Sequence, residues 1–172
     1  TGAATYAMAL ISDQSLVLGD ENTMYLGLDE EPNGRGRGIY AVSIADPKNP
    51  TIRGFFADGA VVFRMLYDER MLYVYGAGVM VFDASSPLSP VLRGAVMFPG
   101  SSSSALAYRN GFIYAPITDA SVGLQGLTIV DVRDPVHPQR VADVAGIGYI
   151  TEIDVHTDTL YATSSTSFGS SH

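Results

Sequence analysis

A phrase built on two prolines three residues apart occurs three times in this chain. It reads "GIYAVSIADPKNPT" over 38–51, "VMVFDASSPLSPVL" over 79–92 and "GLTIVDVRDPVHPQ" over 126–139. The first prolines of the pairs, Pro47, Pro87 and Pro135, lie 40 and then 48 residues apart. Each pair follows one hydrophobic segment and precedes another, and the Arg53-Gly54 after the first pair recurs as Arg93-Gly94. A chain that repeats itself at such a period builds its core by stacking copies of one unit.

The other half of the unit repeats as well. Residues 61–76 ("VVFRMLYDERMLYVYG"), 104–117 ("SALAYRNGFIYAPI") and 150–164 ("ITEIDVHTDTLYATS") share one form, which 15–28 follows more loosely. Each is an apolar stretch, a short polar turn and a second stretch carrying "LYV", "IYA" or "LYA". Asn110-Gly111 is a strong hairpin signal because both residues tolerate positive φ; Asp68-Glu69-Arg70 and Thr157-Asp158 occupy the same place less ideally. The stretches alternate with period two, are rich in Val, Ile, Tyr and Phe, and are bounded by Gly, Pro, Ser or Asp, while no window shows a helical apolar face. The 18 glycines and 9 prolines spread through the chain suit many turns.

The expected architecture is therefore all-β, a β-propeller-type repeat of four-stranded antiparallel blades. Blades are expected over 1–164, as units at about 15–59, 60–100 and 101–147 with a half unit at 148–164, followed by a flexible tail over 165–172. That is between three and four blades, which suits part of a larger ring. Thr1 is no initiator, so the chain is expected to be mature, excised or partial, with any signal peptide outside it.

"LTIVDVRDPVHP" (127–138) resembles the LVIVD repeat, and the "LYA" or "IYA" strand resembles that repeat's second hallmark. The resemblance covers about 15–164, closest at 126–141, good at 38–54 and looser at 79–94, where Ser86-Pro87 replaces Asp-Pro. The lack of Trp separates the chain from WD40 repeats, and the lack of a Gly-Gly pair from kelch repeats. The resemblance implies a β-propeller of a bacterial or archaeal secreted or cell-surface protein, with a scaffold or binding role and no known catalysis. It carries over no catalytic residue, because the family motif is structural.

Composition narrows the function classes. Apolar residues make up 47% and charged residues 16%, as in a packed domain. The net charge of −8 repels phosphate backbones, so no nucleic-acid partner is expected. No cysteine is present, which removes disulfides, thiolate zinc sites and a Cys nucleophile. The apolar runs are too short for a spanning helix, so membrane insertion is not expected.

The motif aspartates Asp46 and Asp134 are expected to cap their turns, with the prolines fixing φ and stopping strand pairing. Chemistry is better sought in connections that break the repeat, above all "DEEPNGRGRGIY" (29–40). Asp29, Glu31, Arg35 and Arg37 there, and Asp119 in the corresponding connection 118–126, are the candidate binding residues. Asp29, Glu31, Asn33 and Gly34 match the start of a calcium loop, but Tyr40 stands where a bidentate Glu is needed and two arginines intervene. No cofactor and no metal site are therefore assigned, with calcium at 29–34 as the alternative. "GRGRG" lacks the Lys-Ser/Thr of a phosphate loop, the three histidines share no metal-ligand spacing, and no Gly-x-Ser-x-Gly elbow supports a triad.

The expected function is a non-catalytic module that binds a protein partner or self-associates through exposed blade edges. The alternative is a hydrolase- or lyase-type propeller enzyme, with or without calcium dependence, its central funnel bringing Asp29, Glu31 or Asp119 together with His156 around a bound ion.

Overall fold

The computed structural model describes residues 15–20, 22–28, 37–98 and 105–165. These residues form 14 β-strands and no helix, so the chain is all-β, as the alternating pattern predicts. The first sheet runs β1 (Leu16–Leu18), β2 (Thr23–Leu28), β3 (Gly38–Ser43) and β4 (Thr51–Phe56). The second holds β5 (Arg64–Asp68), β6 (Met71–Tyr75), β7 (Gly78–Asp83) and β8 (Val91–Met97). The third holds β9 (Ala107–Arg109), β10 (Phe112–Asp119), β11 (Leu124–Asp131) and β12 (Gln139–Ala145), and β13 (Tyr149–His156) with β14 (Thr159–Ser165) make a terminal hairpin. Within each sheet the strands pair antiparallel in chain order, a meander.

The hairpin turns form where the polar dipeptides sit. Asn110 and Gly111 have φ of 50° and 81°, the two positive values of a type I′ turn. Glu69 and Arg70 adopt the same geometry, at 44° and 68°, without a residue suited to it. One boundary differs from the expectation drawn from "VVFRMLY": the strand starts at Arg64, and Val61 and Val62 lie before it. Val62 is buried against Gly27 of β2, where an added Cβ would strike its branches. Val62 fills the space between the first two sheets instead of pairing.

The core lies between the sheets. Tyr25, Ile39 and Ala41 of the first sheet meet Met65, Leu72, Val74 and Phe82 of the second. The opposite face of the second sheet, with Tyr73, Tyr75, Val79 and Val81, meets Ile113, Ala115, Ile117 and Val130 of the third. Ala107 and Leu127 then meet Ile150 and Ile153 of the hairpin. Strand β6 thus buries alternate residues on both faces, which is why its sequence reads almost continuously apolar. The fourth strands are the outer ones, and every residue of β12 is exposed.

The same positions make successive contacts. Tyr25 and Tyr73, equivalent in β2 and β6, lie against Tyr67 and Tyr108, equivalent in β5 and β9, at ring separations of 6.1 and 4.9 Å. Each fourth strand carries a register shift at the same place, next to Gly54, Gly94 or Ala142. A Cβ on Gly54 would collide with the carbonyl of Leu88, and one on Gly94 would lie 2.6 Å from the carbonyl oxygen of Pro135. The proline turn of one sheet therefore rests on the Arg-Gly step of the sheet before, and glycine is needed for that approach.

Candidate functional site

The aspartates of the proline turns are caps. Asp46 Oδ1 accepts the Lys48 N–H at 3.0 Å and its Oδ2 accepts the Asn49 side-chain amide at 2.8 Å. Asp134 Oδ1 accepts the Val136 N–H at 3.0 Å, and its Oδ2 lies 2.9 Å from Nδ1 of His137. The Asn49 and His137 side chains, with these turn N–H groups, hold both carboxyls below the usual carboxylate range. The aspartates that close β7 and β11 behave alike. Asp83 takes Arg93 at 2.6 Å and the Ser85 N–H, and Asp131 takes Arg133 and its N–H. Groups driven to the charged form and filled with donors suit turn closure and are poor general acids.

Of the loop candidates, Asp29, Glu31 and Arg35 lie outside the described residues. Arg37 is exposed just before β3, and its carbonyl accepts the Gly59 N–H at 2.8 Å. Asp119 ends β10, and its carboxylate accepts the Ser121 N–H at 3.0 Å and the Ser121 hydroxyl at 2.5 Å. Ser121 holds the Asp119 carboxyl below its ordinary range, so Asp119 caps the turn into β11. His156 sits beside the hairpin turn, whereas Asp119 is at the far end of β10, roughly 23 Å from the corresponding turn. The fold therefore does not bring these two together. Among the described residues no three His, Asp or Glu side chains gather as metal ligands would.

A cleft that the sequence reading missed lies between the third sheet and the terminal hairpin, with a volume of about 350 Å³. Phe112, Tyr114, Val155 and Leu160 give it apolar walls, and Asn110, Thr157 and Asp158 from the two turns form a polar rim. Arg109, the last residue of β9, reaches it, and its Nε is buried without a hydrogen-bond partner. One signal was present in the sequence: Val155 occupies the strand position that Tyr67 and Tyr108 hold in the preceding units. No family model matches the chain, and no curated protein is found similar to it.

Proposed function

We propose that this chain is a non-catalytic β-propeller segment of the LVIVD-repeat kind, acting as a protein-binding or assembly scaffold of a secreted or cell-surface protein. One observation carries the reading: each sheet meets the next through the same positions, and one such position is left exposed at each end. Leu18, which corresponds to Tyr67, and Tyr161, which corresponds to Tyr25 and Tyr73, are each 60% exposed. Further sheets, from the same chain or a second copy, would bury them as the internal contacts do. The capped aspartates agree with a structural use of the motif.

Light scattering across a range of concentrations tests this. Self-association is expected, and Tyr161→Lys is expected to reduce it. A sharp monomer with cooperative unfolding, unchanged by Tyr161→Lys, overturns the assembly reading.

A further inference from the structure

We infer that the cleft between the third sheet and the terminal hairpin binds a planar aromatic acid, its ring lying on Tyr114 and its carboxylate reaching Arg109. This goes beyond the scaffold reading, because it requires neither a ring of blades nor a protein partner.

The ring follows from the repeat. In the first two inter-sheet contacts, the second-strand tyrosine is covered by a tyrosine from the next sheet: Tyr25 by Tyr67, and Tyr73 by Tyr108. In the third contact the covering residue is Val155, and the cleft opens at Tyr114 and Val155. The space is shaped by a side chain smaller than the one its neighbours use. A flat ring restores the aromatic pair, whose stacking adds to what the buried area alone gives. Phe112 and Leu160 extend the apolar wall, and a volume of about 350 Å³ exceeds what one ring with a short acid chain needs.

The carboxylate follows from Arg109. Arg109 lines the cleft as a cation with no ion-pair partner of its own among the described residues, which favours an anionic ligand there. Arg93, Arg133 and Arg140 each have such a partner. A planar carboxylate is the acceptor whose geometry matches the guanidinium fork. Asp158 on the facing turn disfavours additional negative charge, so a monoanion fits best. Such an acid exists as a free small molecule or as the carboxyl-terminal aromatic residue of a peptide.

The test is an amide-resolved NMR titration of the whole chain with phenylacetate, N-acetylphenylalanine, acetate and benzylamine. Saturable shifts are expected at Asn110, Gly111, Thr157 and Asp158 with the two aromatic acids. Acetate and benzylamine should bind roughly tenfold more weakly or worse, since each lacks one half of the recognition. Tighter binding of N-acetylphenylalanine identifies a peptide terminus as the source, and tighter binding of phenylacetate a free acid. Arg109→Met, which keeps the aliphatic stem, should weaken binding about tenfold or more. Val155→Tyr should close the cleft and abolish binding; if that variant does not fold, Arg109→Met decides. Binding of benzylamine equal to that of phenylacetate, unchanged binding in Arg109→Met, or no shifts at these amides overturns the inference.

Discussion

The contact between the second and third sheets and the contact between the third sheet and the terminal hairpin use the same positions with different residues. In the former, Tyr73 stacks on Tyr108, the Tyr75 hydroxyl donates to the Pro116 carbonyl at 2.6 Å, and Gly94 receives the proline turn. In the latter, Tyr114 faces Val155, Pro116 itself stands where Tyr75 did, and Ala142 stands where Gly94 did. The backbone ladder within each sheet persists while the contact between sheets loosens. A repeated fold can thus vary one interface without losing its unit, and the varied interface is where an opening forms.

The steepest test of this comparison is the pair Gly94→Ala and Ala142→Gly. At Gly94 a Cβ meets the carbonyl oxygens of Pro135 and Val136, neither of which can move without displacing the turn. Gly94→Ala is expected to cost about 3 kcal/mol, at the upper end for overpacking. Ala142→Gly should cost only about 0.5–1 kcal/mol from added chain entropy. Urea unfolding measures both, and equal losses would show that the two fourth strands are not used differently.

Next in size is Tyr75→Phe. Tyr75 is fully buried and its hydroxyl supplies a donor to Pro116, so removal should cost about 2 kcal/mol. A loss near zero in the same unfolding measurement would mean that the stacked rings alone hold the second contact closed.

What the sequence made legible was local. Asn110-Gly111 announced its turn, and the Asp-Pro-x-x-Pro phrase announced Asp46 and Asp134 as caps, because both depend on neighbours two or three residues away. The four-strand unit followed from alternation and period. The Arg-Gly repeat was visible, but its cause was not, since the carbonyls of Leu88 and Pro135 come from the next sheet. The Arg109 cleft was hidden for the same reason: Val155 becomes meaningful only when register shows that it faces Tyr114 and not solvent. Asp119, chosen from loop length, proved to serve its own turn.

A smaller effect is expected at the hairpin turns, where the second and third sheets differ in residues and agree in geometry. Glu69 and Arg70 pay a left-handed backbone cost that Asn110 and Gly111 largely avoid. Glu69→Asn with Arg70→Gly should raise stability by about 1 kcal/mol, seen as a higher melting temperature. No gain would mean that long side chains at this turn recover the cost through contacts of their own.

The smallest effect, and the finest distinction between the two sheets, concerns acid. Asp83 is held by Arg93 across the sheet from β8, whereas Asp131 is held by Arg133 only two residues on, because Val141 replaces the arginine of β8. Arg93 keeps the Asp83 carboxyl well below its ordinary range, and Arg133 pushes Asp131 down to about 2. A carboxyl depressed in the folded state adds stability that is fully present above its unfolded value near 3.9 and is lost as pH falls through the folded value. Melting temperature should therefore be steady in this respect above about pH 5 and decline from about pH 4 toward pH 2. Arg93→Met and Arg133→Met should each lower the stability near neutral pH and shrink the loss on acidification, because the folded carboxyl value moves back toward the unfolded one that sets the onset. The larger shrinkage should belong to Arg93→Met, because Arg93 holds Asp83 further below its ordinary range than Arg133 holds Asp131, while each carboxylate keeps a turn N–H from Ser85 or Arg133. Both pairs are exposed, so about 0.5 M NaCl should narrow the difference. The reverse order would mean that the turn-borne arginine, which also lies 4.8 Å from the Phe112 ring, does more for the third sheet than the strand-borne one does for the second.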